Sequence, residues 1–144
     1  MGSPLYSEDP DNAEVLSTLE THTVPEMFAE ILPKYSVAPG TSAEIIAKTL
    51  ATSNPNGPDD VRRVWRAATS ADIRVQAPLV TCPVTVVTGE FDFTVTPEHA
   101  KLLAEALHAR FVEIPGIGHL PMLEDPATTV RLINEHLARV EGEE

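Results

Sequence analysis

Apolar residues in the first half of the chain recur at helical intervals. Residues 11–20 carry Val15, Leu16 and Leu19 at i, i+1 and i+4. Pro25 suits the first turn of a second helix, where its missing N–H would be unpaired anyway. Met27, Phe28, Ile31 and Leu32 then share one face. Pro33 and the Pro39-Gly40 pair interrupt the pattern. Thr41-Ser42-Ala43-Glu44 has the spacing of a capping box, and Ile45, Ile46 and Leu50 follow on one side. Asn54-Pro55-Asn56-Gly57-Pro58 is a turn cluster. Beyond it Val61, Val64, Trp65 and Ala68 recur at i, i+3, i+4 and i+7 with arginines opposite, which predicts an amphipathic helix.

The second half changes period. Residues 84–88 (VTVVT) form a short β-branched run between Pro83 and Gly89, apolar enough on both faces for a buried parallel strand. Thr96-Pro97 opens a helix whose stripe is Ala100, Leu103 and Leu107. Residues 111–114 (FVEI) predict a second strand, closed by Pro115-Gly116. Asp125-Pro126 starts a last helix with Val130, Ile133, Leu137 and Val140 on one face. Strand–helix–strand–helix is a βαβ unit with two parallel strands and a right-handed crossover. Two parallel strands are marginal alone, so these residues describe the edge of a larger sheet. Strand 84–87 would lack one neighbour, and the faces of Leu103, Leu107, Ile133 and Leu137 would be partly uncovered. Such an edge calls for a partner, either the rest of the sheet or a second copy of the chain.

Composition narrows the field. Leu, Ile, Val and Phe make up 38 of 144 residues, too many for a disordered chain. No apolar run reaches the length of a membrane helix. The N-terminus has neither the basic start nor the apolar stretch of a secretory signal, and Met1-Gly2-Ser3 resembles a cloning remnant. A single Cys82 excludes an internal disulfide, so a reducing, cytoplasmic setting is expected. The net charge is −12, which argues against binding nucleic acid. Acids concentrate in residues 1–40 and 83–144, as solvated helix faces and the acidic tail 141–144 would give.

Chemistry gathers in two loops. Residues 89–97 (GEFDFTVTP) follow the first predicted strand, and residues 115–121 (PGIGHLP) follow the second. In open α/β sheets ligands and catalytic groups collect outside the carboxyl ends of the strands. Neighbouring strands lie about 4.8 Å apart, so Asp92 and His119 can meet at the sheet rim. A carboxylate there can accept the Nδ1–H of the imidazole, fix its tautomer and stabilise the imidazolium, which is the acid–base half of a nucleophile–His–acid triad.

Residues 81–137 resemble the C-terminal end of α/β-hydrolases. The acid loop GEFDFTVTP and the histidine loop PGIGHLPMLEDP carry the resemblance, with Asp92 and His119 separated by 27 residues in that order. By resemblance Asp92 is the triad acid and His119 the triad base. The implied architecture is α/β: the C-terminal parallel βαβ portion of an α/β-hydrolase sheet, preceded by a helical cap. Residues 1–75 would be the cap and residues 76–144 the core portion. The run NPNGPDDVRRVWRAATSADIR resembles the closing cap helix of the enol-lactonase-like and small-ester branches. The first six strands are absent, as is the nucleophile elbow: none of the seven glycines completes a Gly-x-Ser-x-Gly motif. The resemblance thus implies part of a hydrolase for a small ester, lactone or amide, with the nucleophile on an absent segment or partner chain. It implies no cofactor and no metal. The rival reading is a degenerate, non-catalytic hydrolase module that binds a partner.

Other candidates have plainer readings. Glu90 competes with Asp92 but suits a loop-bracing acid. Glu124 suits a brace for the histidine loop, and Asp125 the N-cap of the last helix. Cys82 reads as a small buried hydrophobe. Trp65, Met27 and Phe28 are candidates for a substrate pocket beneath the cap, against simple packing. His22, His99, His108 and His136 lack metal-ligand spacing and read as surface histidines. Ser53 and Ser70 suit helix caps.

Overall fold

The computed structural model describes residues 11–52, 57–70, 72, 73 and 75–142. Met1 to Ser3, Ser53, Asn54 to Asn56 and the tail residues Glu143 and Glu144 lie outside them, as do the side chains of Val15 and Ser70.

Helices occupy the first half: α1 (Asp11–Thr21), α2 (Val24–Ile31), α3 (Ala43–Thr52) and α4 (Pro58–Ser70), with α2 running into a wider π-helical turn at Leu32–Ser36. Their apolar faces meet around Leu19, Val24, Met27 and Ile31, and Phe28, Tyr35, Val61 and Trp65 pack on that cluster. The Arg62 guanidinium adds a polar tie from α4, donating to the Leu19 carbonyl at 2.6 Å. Only part of the α4 stripe is used: Val61 and Trp65 face the cluster, whereas Val64 and Ala68 are exposed.

The capping chemistry differs from the sequence expectation. Ser42 begins α3, its hydroxyl accepting the Ile45 N–H at 3.3 Å. The Thr41 hydroxyl instead donates to the Glu124 carboxylate at 3.0 Å, because a carboxylate is the stronger acceptor. The carboxylate that reaches back to its own helix start is Glu26, which accepts the Thr23 N–H at 2.8 Å and the Thr23 hydroxyl at 2.7 Å. Those bonds, the hydroxyl first, hold the Glu26 carboxyl below its ordinary pKa.

The second half is the expected βαβ unit. β1 (Thr85–Gly89) and β2 (Arg110–Ile114) pair in parallel, with Thr85 opposite Arg110 and Gly89 opposite Ile114. Between them runs α5 (Pro97–Ala106), whose Ala100 and Ala104 are buried. Small side chains on this face let the helix approach the strands. The one-turn α6 (Pro121–Glu124) and the long α7 (Pro126–Gly142) follow. Asp125 caps α7, its Oδ1 accepting the Thr128 N–H at 3.0 Å. That bond, first among several, lowers the Asp125 pKa.

Leu132 turns inward from α7, while Val130, Ile133 and Leu137 are each more than half exposed. Val87 on β1 is exposed as well, and Leu103 and Leu107 are half-buried. A groove of about 240 Å³ lies here, lined by Thr85, Val87, Pro121, Leu132, Ile133 and His136 among others. The incomplete coverage expected of an isolated sheet edge is therefore present.

Two expectations are corrected. Cys82 is exposed rather than buried, because it precedes Pro83 and the paired strand begins only at Thr85. His136 is not a surface residue. It is half-buried on the inner side of α7, its Nδ1 3.0 Å from the Thr85 hydroxyl, beside an Arg139 guanidinium that donates to the Val84 carbonyl at 3.3 Å. No helix among the described residues is long and apolar enough to cross a membrane.

Candidate active site

The two loops that leave β1 and β2 are joined by their backbones. The Glu90 N–H donates to the Ile114 carbonyl at 3.0 Å, and the Phe91 N–H to the Ile117 carbonyl at 2.8 Å. Such closeness requires glycine. A Cβ on Gly89 would lie 2.2 Å from the carbonyl oxygens of both Ile117 and Gly118. A Cβ on Gly118 would lie 2.7 Å from backbone atoms of Val37 and Ala38.

Asp92 sits at the turn out of β1, its N–H donating to the Gly89 carbonyl at 3.1 Å. It is one of two buried polar residues among those described. Its Oδ1 accepts the N–H groups of Thr94 at 3.0 Å and Val95 at 2.8 Å. Its Oδ2 lies 2.9 Å from Nδ1 of His119. Both oxygens are thus engaged, and the carboxylate cannot rotate without breaking bonds. As the carboxylate only accepts, the hydrogen of this pair resides on Nδ1, leaving the Nε2 lone pair free. The His119 side chain is about one-third exposed, 37%.

Three further acids divide as their positions suggested. Glu90 braces the second loop, accepting the Gly116 N–H at 2.8 Å. Glu124 accepts the N–H groups of Gly118 and Leu120, at 3.1 and 3.2 Å, on either side of His119. Asp125 caps α7.

The helical half also reaches the site. The His119 N–H donates to the Ser36 carbonyl at 3.0 Å, and the Thr94 hydroxyl to the Tyr35 carbonyl at 3.2 Å. These groups escaped the sequence reading because they are main-chain atoms, which no residue type marks. The Thr94 and Val95 donors were legible in principle, since an Asp two residues before a backbone N–H is the spacing of an Asx-turn.

The pocket candidates are placed differently. Met27 is wholly buried in the helical core and lines no open pocket. Phe28 and Trp65 pack against that core, half-buried. Packing accounts for Met27, around which the cluster closes, while Phe28 and Trp65 keep part of their surface open. Among the described residues no three His, Cys, Asp or Glu side chains converge as a metal site would need.

The chain matches the Alpha/beta hydrolase family over residues 5–132. Among solved structures it is similar to a thermophilic esterase from Thermogutta terrifontis, with 26% identity and a TM-score of 0.76, over 94% of this chain and 53% of that one. It is similar in fold to a bromoperoxidase from Bacillus anthracis, with 17% identity and a TM-score of 0.82, over 93% and 54%. Est816, an N-acyl homoserine lactone degrading enzyme, gives 24% identity and a TM-score of 0.70, over 88% and 51%. The chain therefore spans about half the length of these structures. No curated protein matches it.

Proposed function

The chain belongs to the alpha/beta hydrolase family, and we propose that it supplies the acid and the histidine for hydrolysis of a small ester, lactone or amide. The observation that carries this is the 2.9 Å contact between Asp92 and His119 Nδ1, made where two parallel strands end. On this reading residues 1–75 act as the cap and residues 76–144 as the C-terminal part of the core. The residues 1–144 hold no Gly-x-Ser-x-Gly. The nucleophile therefore comes from outside them, on another segment of the polypeptide or on a partner chain.

The chemistry follows from the geometry. His119 Nε2 takes the proton of the nucleophile's hydroxyl as its oxygen attacks the carbonyl carbon. Charge then builds on the ring, and Asp92 stabilises the imidazolium without taking its proton. The tetrahedral intermediate collapses as Nε2 returns that proton to the leaving oxygen or nitrogen. Water repeats the sequence on the acyl-enzyme, with Nε2 again accepting and then returning a proton. The two Oδ1 bonds from Thr94 and Val95 matter because they hold Oδ2 against Nδ1 throughout.

The test uses p-nitrophenyl acetate. Residues 1–144 alone should show no turnover that depends on His119. Joined to a segment or partner chain that carries a nucleophile elbow, they should turn over. Asp92→Asn should then lower kcat by about 10⁴-fold and His119→Ala by about 10⁶-fold. Turnover by residues 1–144 alone that disappears in both variants would overturn the external nucleophile. Turnover of the joined protein that neither variant changes would overturn the role of the pair.

A further inference from the structure

We propose that Glu124 is a positioning residue for His119, locking the histidine loop to the helical half of the chain through one carboxylate. The proposal rests on the hydrolase reading for its consequence in catalysis, though not for its geometry.

Three successive backbone N–H groups flank and include the histidine. Those of Gly118 and Leu120 go to Glu124, at 3.1 and 3.2 Å, and that of His119 itself goes to the Ser36 carbonyl at 3.0 Å. The peptide on each side of the His119 Cα is therefore fixed, and the ring can reach Asp92 only from the position this sets. The same Glu124 carboxylate accepts the Ala38 N–H at 2.8 Å and the Thr41 hydroxyl at 3.0 Å. These donors lie 86 and 83 residues away along the chain. They belong to the segment that follows the π-helical turn, whose last residue is Ser36. A cap and a catalytic loop from opposite ends of the sequence thus share one anion.

The donor set explains why the residue is an acid. Leu120 points its N–H at Oε1 and Gly118 shares its N–H between Oε1 and Oε2, while the Ala38 N–H and the Thr41 hydroxyl point at Oε2. Only a carboxylate accepts at both ends. An amide of the same shape must turn its NH₂ toward some of these donors and oppose donor with donor. Among the described residues no Lys or Arg pairs with Glu124, so peptide and hydroxyl dipoles alone balance its charge.

Glu124→Gln tests this by NMR of residues 1–144 labelled at histidine nitrogen. In the unmodified chain His119 should show a low-field Nδ1–H resonance and an unprotonated Nε2. In Glu124→Gln that resonance should shift upfield or disappear, while the chain keeps its cooperative melt. In the joined, active protein kcat should fall about 10- to 100-fold with KM unchanged, the cost of misplacing a catalytic group by about 1 Å. Thr41→Val removes one helical-side donor and leaves the carboxylate intact. It should shift the resonance the same way by less, and it decides the matter should Glu124→Gln fail to fold. A folded Glu124→Gln chain with unaltered His119 signals overturns the proposal, as does an unaltered Thr41→Val chain where that variant must decide. The NMR arm needs no turnover, so loss of the hydrolase reading would show separately, as an inactive joined protein whose His119 still responds to Glu124.

Discussion

Gly89→Ala should separate the two loops. Gly89 is not among the residues with positive φ, so alanine brings no backbone strain and its only offence is the methyl group. That methyl would lie 2.2 Å from two carbonyl oxygens, short of ordinary contact at 3.4 Å by about 1.2 Å. Both obstacles are backbone, held in turn by the Phe91–Ile117 bond of 2.8 Å and the Glu124 bonds to Gly118. They cannot swing aside as a side chain would. Relief must come from opening the loops, which stretches the 2.9 Å Asp92–His119 contact to about 4 Å, beyond hydrogen-bond reach.

Overpacking of this kind costs about 1–3 kcal/mol, and losing the Phe91 bond adds about 1 kcal/mol. A destabilisation of about 2–4 kcal/mol lowers Tm by roughly 7–15 °C in a chain of this size. Gly116→Ala is the comparison, since Gly116 has open space around it but a φ of +72°. It should cost only the left-handed strain of about 1–2 kcal/mol and leave the His119 Nδ1–H resonance in place. Thermal melts followed by circular dichroism and histidine NMR read both effects. A Gly89→Ala chain that melts no lower than Gly116→Ala and keeps its resonance would refute the close-approach argument.

Met27→Ala empties the centre of the helical cluster and should cost about 2–5 kcal/mol in urea unfolding. An alteration of KM in the joined protein without that loss would restore Met27 as a pocket residue. Asp125 has a lowered pKa in the fold, so its cap stabilises above the ordinary value of 3.8 and fades as pH falls through the lower folded value. Asp125→Asn should therefore melt below the unmodified chain at neutral pH, the difference shrinking in acid; a difference that grows in acid would reverse the sign. The exposed face around Val87, Ile133 and Leu137 should make residues 1–144 self-associate in sedimentation, and Val87→Lys should weaken that association. A compact monomer at every concentration would count against an unfilled sheet edge.

The sequence made the elements legible because each is punctuated by its own chemistry. Pro83 and Gly89 bracket β1, Thr96-Pro97 starts α5, and Asp125-Pro126 starts α7. The Asp92–His119 pair was legible for a related reason. Both residues lie at short, fixed distances past strand ends, so strand pairing alone determines that they converge. Burial was harder to read. The stripe of α4 suggested Val64 and Ala68 as core, yet a period of 3.6 tells only which residues share a face, not how wide a neighbour covers it. Cys82 failed for a similar reason: residue type carried the expectation, and position outside the ladder decided the outcome.

The way the helical half meets the site was not legible, and the reason is physical. Ser36 contributes a carbonyl, Ala38 an N–H, and Gly118 the absence of a Cβ. None of these is a side-chain chemistry that a pattern can single out. The false capping box is instructive here. Thr41 and Glu44 had the right spacing for each other, but Thr41 was drawn to Glu124, 83 residues away. A local rule weighs only neighbours in sequence, whereas a carboxylate with two N–H donors already on it is a fixed, preorganised acceptor. What the segment 36–41 must preserve is therefore its path, together with the Thr41 hydroxyl. The carbonyl of Ser36 and the N–H of the buried Ala38 must stay in place, and Gly118, which sets how closely that path approaches His119, cannot change.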